Sequence, residues 1–307
     1  MTERMPGDFA ASRRDVARLA LSIGAAALLP AGASAQATPL LTRAIPSTGE
    51  ALPMVGLGTA ALYNRDDDNS RRAASEVLQA LLAGGGTLVD TASTYGDAEA
   101  VLGAVVTPTL RDKLFVATKL EAPDAAELKR SLARLKVARL DLLQLHNVRD
   151  PRQSLDQFRR WKHDGVCRYV GITSTFKGDY AALEAVLGRE KPDFLQVDYS
   201  ADNREAEKRL LPLAAEVKTA VLTALPFGRN RLFRAVRGKP LPDWAAEFDA
   251  TSWGQFFLKF LLGNPAVTAV IPGTGNAAHM ADNLGAARGR LPDAAQRRRM
   301  VEFIEAL

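Results

Sequence analysis

Short apolar runs recur eight times between residues 54 and 272, and longer amphipathic stretches separate them. Each run is only 4–7 residues long and rich in Val, Leu or Ile, which is typical of parallel strands buried on both faces. The runs are Met54–Gly58, Thr87–Asp90, Leu114–Lys119, Leu140–His146, Tyr169–Thr173, Phe194–Val197, Ala220–Leu225 and Thr268–Pro272.

The stretches between the runs have the spacing of amphipathic helices. In two of them apolar residues recur every three or four positions, which places them on one helix face. These sets are Ala125, Leu128, Leu132 and Leu135, and Trp253, Phe256, Phe257, Phe260 and Leu261. Strand and helix alternating eight times predict an α/β fold, a (β/α)8 TIM barrel, whose usual size is about 250 residues.

The segment ahead of the first run, Leu41–Ala51, carries Ser-Thr-Gly-Glu at residues 47–50 between short apolar pieces. It predicts an N-terminal β-hairpin that would plug the bottom of the barrel. A doubly wound open sheet is the alternative fold, and it would need a Gly-rich phosphate-binding turn directly after the first strand. Residues 56–61 do not continue into such a helix, and the glycines at 84–86 precede the second strand, so the barrel is favoured.

Composition narrows the function classes. The 307 residues are 47% hydrophobic and carry a net charge of +5, without the basic stripe interleaved with aromatics that nucleic-acid binding would need. The lone Cys167 excludes an intramolecular disulfide and a zinc site built on several thiolates. With only three histidines in the chain, we expect no bound metal.

The first 35 residues have the pattern of an export signal. Arg13 and Arg14 precede the apolar stretch Leu19–Leu29, and small residues lead to Ala35. The stretch is too short for a stable membrane span, which needs ~20 apolar residues. We therefore predict a twin-arginine signal peptide over residues 1–35, a periplasmic protein without a membrane anchor after cleavage, and one barrel domain over residues 36–307. An uncleaved amphipathic helix or anchor is the alternative.

Polar residues follow four consecutive predicted strands and a fifth carries one, and the active site of such a barrel lies at these strand ends. They are Asp90, Lys119, His146, Thr173 with Ser174, and Gln196. Each alone has a structural explanation, such as a helix N-cap for Asp90 or a surface lysine for Lys119. Their succession favours a catalytic cluster, and Tyr95 adds a phenol in the loop after the second strand.

The motifs around these positions resemble those of the aldo/keto reductase superfamily. The segment at residues 90–96 is similar to D-T-A-x-x-Y-G, that at 140–146 to the D-L-x-x-x-H strand, and that at 165–173 to G-x-x-R-x-x-G-x-S. Residues 115–119 resemble the family's lysine-bearing strand, and residues 271–274 with 283–284 its cofactor segment. The resemblance runs from about Arg43 to the C-terminus.

The resemblance implies reduction of a small carbonyl substrate by hydride from a nicotinamide. Tyr95 would be the general acid, and the ammonium of Lys119 would favour its phenolate. Asp90 would pair with Lys119 and keep it charged, while His146 would donate to the carbonyl oxygen and orient it. NADPH is the expected cofactor, with NADH as the alternative, and the protein is expected to act as a monomer.

The resemblance also implies a set of cofactor-binding residues. They are Thr173, Ser174, Gln196, Phe227, Gly228, Gly273, Thr274, His279 and Asn283. Ser174 replaces the family's asparagine, Ala224 stands where a tyrosine often stacks on the nicotinamide, and Gly273 and His279 stand where Lys and Arg often grip the 2′-phosphate. Tyr63, Trp161 and Trp244 are candidate lining residues of the substrate pocket, chosen for their aromatic character.

Two other functions stay open at the level of sequence. Because of the departures at 174, 224 and 273, the barrel could be a slow nicotinamide-binding or sensing module. A non-redox isomerase or lyase on the same fold would need a phosphate or metal site, and the sequence shows neither.

Overall fold

Eight parallel strands follow one another in chain order around a curled sheet in the computed structural model, which describes Thr2 and residues 39–307. Apart from Thr2, the predicted signal peptide at 1–35 lies outside the described residues. The first and last barrel strands meet through parallel bridges from Val55 to Val270 and from Gly58 to Gly273. The predicted (β/α)8 architecture is confirmed, and the open doubly wound sheet is not formed.

An antiparallel hairpin precedes the barrel, and every predicted apolar run overlaps a strand. The hairpin strands are β1 (Thr42–Ala44) and β2 (Ala51–Pro53). The barrel strands are β3 (Leu57–Gly58), β4 (Leu88–Asp90), β5 (Phe115–Leu120), β6 (Leu140–Leu145), β7 (Cys167–Ser174), β8 (Phe194–Asp198), β9 (Ala220–Ala224) and β10 (Ala269–Val270).

Helices connect the strands and cover the outer face of the barrel. They are α1 (Asp68–Ala83), α2 (Ala98–Val105), α3 (Pro108–Arg111), α4 (Ala125–Leu135), α5 (Asp156–His163), α6 (Tyr180–Glu190), α7 (Leu210–Glu216), α8 (Arg231–Ala235), α9 (Trp253–Leu262), α10 (Ala277–Gly285) and α11 (Ala294–Glu305). The two predicted amphipathic segments are α4 and α9. Helix α9 is buried from Gly254 to Leu262, because α10 and the barrel both pack on it.

The core has two layers, because successive side chains of a strand point to opposite faces. One layer lies between the strands and the helices. The other fills the barrel and includes Leu88, Phe115, Leu142, Tyr169, Phe194 and Leu222. On the inward faces of β4 to β8, apolar residues near the start of the strand are followed by polar residues near its C-terminal end.

The hairpin loop closes the N-terminal end of the barrel, as predicted. Its Thr48 hydroxyl lies 2.8 Å from the Tyr169 hydroxyl, and Tyr169 donates to the Glu50 carboxylate over 2.6 Å. Arg168 also pairs with Glu50 and donates to Asp141 over 3.0 Å. The motif residues Arg168 and Asp141 therefore stabilise the N-terminal end of the barrel, opposite to the predicted site.

Three further features bear on the function classes considered above. Cys167 is buried at the start of β7, and this burial raises the pKa of its thiol to about 12. In the part of the chain that the structure describes, no helix combines the length and apolar character needed to cross a bilayer. Within the same residues, His, Cys, Asp and Glu side chains form no group of three that could hold a metal ion.

Candidate active site

Asp90 and Lys119 form a buried ion pair at the C-terminal rim of the barrel. Asp90 ends β4 and Lys119 lies in the neighbouring β5, and both side chains point inward. The Lys119 ammonium donates to Asp90 Oδ1 and, over 2.7 Å, to the backbone oxygen of Thr91. Lys119 is 0% exposed and Asp90 2% exposed, so water screens this pair very little.

The Asp90 carboxylate keeps Lys119 charged. Burial opposes the positive charge of Lys119, but the field and hydrogen bond of Asp90, with a contribution from Tyr95, outweigh it and raise the pKa of the ammonium above its usual value. The ammonium nitrogen lies 4.8 Å from the centre of the Tyr95 ring. A fixed positive charge thus stands beside the phenol.

His146 completes the cluster from the end of β6. Its ring meets the Tyr95 ring edge-on, with 5.8 Å between centroids and 78° between planes. Burial, reinforced by the positive charges of Lys119 and Arg149, lowers the pKa of His146 to about 3. A histidine with that pKa stays neutral throughout the physiological range, so it can offer one N–H donor without adding a charge.

An amide network lies beneath the cluster. Asp90 Oδ2 accepts from Gln144 Nε2 over 3.1 Å and from Gln196 Nε2 over 3.0 Å. The Thr173 hydroxyl donates to Gln196 Oε1 over 3.4 Å. Gln144 was not among the site residues predicted from the sequence. Its signal was an amide on the strand face that also carries Leu142 and, two positions later, His146.

A cavity of roughly 600 Å³ opens above the cluster. Its floor carries Asp90, Tyr95, His146 and Gln196, and its walls come from the loops that follow the strands. The wall residues are Gly58, Thr59, Ala60, Ala61, Leu62, Asn147, Thr175, Phe176, Ala224, Leu225, Pro226, Phe227, Arg229, Asn230, Ile271 and Gly273. Phenol, imidazole and amide groups therefore face one shared space with mostly apolar sides.

The aromatic residues proposed for the substrate pocket do not line this cavity, so that expectation is wrong. Tyr63 is 1% exposed and packs against α1 and α2 residues, and Trp161 packs edge-on against Phe158. Trp244 packs edge-on against Phe256. The aromatic walls of the cavity are Phe176 and Phe227 instead. Loop conformation decides which aromatic ring reaches the cavity, and aromatic character alone did not indicate it.

Eight of the nine predicted cofactor residues fall into two groups, and the ninth, Gly228, lies in the loop after β9. Gln196, Phe227 and Gly273 line the cavity, and Thr173 reaches it through its hydrogen bond to Gln196. Ser174 lies on the other face of β7, where its hydroxyl donates to Asp179 over 2.7 Å. The remaining three residues follow Gly273 in the chain, in or just before α10, and do not line the cavity. The Thr274 hydroxyl accepts a hydrogen bond from the Asn276 N–H over 3.1 Å. His279 is exposed and Asn283 is buried.

The loop after β9 is held in an unusual conformation over the cavity. Leu225, Arg229 and Asn230 have φ values of 53°, 53° and 66°, in the left-handed region that side chains other than glycine rarely adopt. Gly228 has φ of 55°, and a Cβ there would lie 2.5 Å from the Asp202 carboxylate. Only glycine fits at 228, because the loop is packed directly against this carboxylate.

Comparison with known proteins gives consistent results. Residues 54–298 match the family model described as the Aldo/keto reductase family. The chain is 28% identical over 243 residues to methylglyoxal reductase YeaE of Escherichia coli strain K12, covering 76% of this chain and 84% of that protein. It is also 28% identical over 252 residues to the 6-dehydroglucose reductase of Novosphingobium aromaticivorans, covering 71% and 81%.

Solved structures share the fold. An aldo-keto reductase from Klebsiella pneumoniae, crystallised in complex with NADPH, aligns with a TM-score of 0.71 at 23% sequence identity. The alignment covers 87% of this chain and 95% of that chain.

Proposed function

Because the chain belongs to the aldo/keto reductase family, we propose that it reduces the carbonyl group of a small aldehyde or ketone to an alcohol with NADPH, and that Tyr95 is the general acid. The observation that supports this most directly is the position of Tyr95. Its ring lies next to both the neutral His146 and the charged Lys119, on the floor of a cavity large enough for a substrate and part of a cofactor.

The cavity residues fit a nicotinamide. Gln196 offers an amide at the floor, with the Thr173 hydroxyl beside it, which suits the carboxamide of the cofactor. Leu225 and Phe227 provide an apolar wall for the ring, and the exposed Arg229 provides positive charge for a phosphate. When bound there, the nicotinamide supplies the hydride.

The chain's own residues supply the proton and the orientation. The Tyr95 hydroxyl gives its proton to the carbonyl oxygen as the carbon is reduced, and this completes the alcohol. Lys119, held charged by Asp90, stabilises the phenolate that remains. His146 donates an N–H to the carbonyl oxygen and holds it within reach of the phenol. The pKa of about 3 keeps His146 in its neutral form, so it acts by orientation.

The choice of NADPH and of substrate class rests on similar proteins. The Klebsiella enzyme was crystallised with NADPH, and the two curated relatives are named as reductases of methylglyoxal and of 6-dehydroglucose. We propose small, oxygen-rich carbonyl compounds as substrates. Gly273 and the exposed His279 stand where the family often has Lys and Arg, so we expect a weak grip on the 2′-phosphate.

The test is steady-state oxidation of NADPH by the purified protein with methylglyoxal, followed by the loss of NADPH absorbance. We expect sustained turnover that stops when the carbonyl compound is consumed. Since His146 stays neutral, kcat should show no titration step from this residue between about pH 5 and 8. Stoichiometric binding of NADPH without turnover on any carbonyl compound would favour the sensing module instead.

We also propose that the protein is exported in folded form. The support is the sequence pattern of paired arginines, a short apolar stretch and small residues before Gln36. In a bacterial host with the twin-arginine pathway, we expect the periplasmic product to begin at Gln36 and the Arg13→Lys/Arg14→Lys variant to stay in the cytoplasm. The measurements are cell fractionation and N-terminal sequencing. Equal distribution of the two proteins would refute the proposal.

A further inference from the structure

Gln144 is a buried polar residue to which the proposed mechanism assigns no role. It is 0% exposed and lies inside the barrel, in register between Lys119 on β5 and Gly171 on β7. Its amide nitrogen donates to Asp90 Oδ2 over 3.1 Å. Its amide oxygen is buried and has no hydrogen-bond partner among residues 39–307.

The surroundings of residue 144 leave space for a glutamine side chain, although its amide oxygen has no hydrogen-bond partner among the described residues. A buried carbonyl oxygen without a partner destabilises a fold, and Met or Leu would fill the same space without that penalty. A Cβ on Gly171 would lie 2.8 Å from Gln144 Cγ, so the glycine makes room for the side chain. Among the described residues, the hydrogen bond to Asp90 is the one favourable polar contact of the Gln144 side chain.

Two amides share one oxygen of Asp90. Gln196 Nε2 donates to the same Oδ2 over 3.0 Å, while Lys119 occupies Oδ1. Gln196 lines the cavity and Gln144 does not. A nicotinamide carboxamide that draws Gln196 Nε2 toward the cavity weakens the hydrogen bond from this amide to Asp90. It does not reach Gln144, which does not line the cavity.

We propose that Gln144 is a positioning residue that keeps Asp90 hydrogen-bonded while Gln196 serves the cofactor. Through Asp90 it keeps Lys119 fixed beside Tyr95. Cofactor binding and proton donation then do not compete for the same amide. This inference rests on the proposed function, and it adds a residue to the same site.

A double-mutant cycle on NADPH affinity tests the inference. The variants are Gln144→Met, Gln196→Met and the double variant, and the measurement is the Kd of NADPH by fluorescence titration. Methionine keeps the volume of glutamine and removes the donor. With Gln196 present, Gln144→Met should raise Kd about three- to tenfold, which corresponds to the net contribution of one ordinary hydrogen bond. In the Gln196→Met background the same change should leave Kd nearly unaltered, because no shared amide remains.

Turnover separates positioning from simple packing. We expect Gln144→Met to lower kcat more than it changes the KM of the carbonyl substrate, with the pH profile of kcat displaced from that of the wild type. The matched control is Leu142→Met, at a buried apolar position on the same strand face. It should leave Kd, kcat and the pH profile unchanged. If Gln144→Met behaves like Leu142→Met, Gln144 only fills space and the inference is overturned.

Two further outcomes keep the test decisive. If Gln144→Met does not fold, Gln144→Glu replaces it. A protonated glutamic acid can donate to Asp90 and a carboxylate cannot, so the Kd of this variant should rise with pH more steeply than that of the wild type. Additive Kd changes in the cycle, with normal wild-type turnover, would overturn this inference alone. A wild type that binds NADPH and reduces no carbonyl compound would overturn the proposed function, and the binding cycle would still be measurable.

Discussion

Replacing Tyr95 by phenylalanine should lower kcat for carbonyl reduction by about 10²- to 10⁴-fold, the range that general acid catalysis contributes. The substitution removes the proton donor and keeps the ring, which packs edge-on against His146 with 5.8 Å between centroids. NADPH affinity and thermal stability should therefore stay close to those of the wild type. The measurements are single-turnover and steady-state kinetics together with NADPH titration.

The chain offers a matched control for this experiment. Tyr63 is 1% exposed, its hydroxyl has no hydrogen-bond partner in the described part of the chain, and burial raises the pKa of that hydroxyl to about 12. Tyr63→Phe removes a phenol hydroxyl that does not reach the cavity, so kcat should not change. Tyr95→Phe with wild-type turnover would show that another group donates the proton.

Removal of the Asp90 carboxylate alone should lower the free energy of unfolding by about 3–5 kcal/mol, because it leaves the fully buried Lys119 without its counter-ion. Asp90→Asn is the conservative change for this test. The double variant Asp90→Asn/Lys119→Met removes both charges, so it should recover much of the lost stability. Neither variant should reduce carbonyl compounds at the wild-type rate. The single variant lacks the carboxylate that holds Lys119 charged and fixed beside Tyr95, and the double variant lacks the lysine itself. Urea unfolding and turnover assays measure the two effects.

The pH dependence of this stability difference has a definite sign. The pKa of Lys119 is raised in the folded state above its ordinary value of 10.5, so the ion pair contributes its full stability below that pH. The contribution is lost as the pH rises through the folded-state pKa. The stability gap between wild type and Asp90→Asn should therefore narrow as the solution becomes strongly alkaline. A gap that widens with pH would show that the pair does not carry this energy.

The fold was predictable because each barrel strand has a local signature. Runs such as Leu140–His146 are too short for helices and too apolar for exposed strands, and their regular spacing leaves few architectures. The hairpin was predictable as well, from a turn sequence between apolar pieces. Helix α4 shows the limit of periodicity: Leu128 and Leu135 are buried, Leu132 is only half-buried and Ala125 is exposed. Packing neighbours, which periodicity does not name, decide the width of a buried face.

The candidate site was most directly predictable where a residue is attached to a strand end. The loop residues Tyr95, Phe227 and Gly273 were also predicted, with the help of the family resemblance, and they line the cavity. Asp90, Lys119, His146 and Gln196 come together because parallel strands place their C-terminal ends at one rim. The loops behave differently. Phe176 and Phe227 line the cavity, whereas Tyr63 does not, although all three have the same aromatic character.

The sequence by itself determined the barrel, its closing hairpin and the order of chemical groups around the rim, since these follow from local periodicity and from strand parity. The tertiary structure decided which side chains hydrogen-bond to one another and how the loops pack. It placed Gln144 and Gln196 on one oxygen of Asp90, turned the Ser174 hydroxyl to Asp179, and fixed the left-handed loop after β9 against Asp202. Hydrogen-bond partners and loop conformations depend on contacts between residues far apart in the chain. The local pattern of apolar and polar residues does not indicate those contacts, so only the folded molecule shows them.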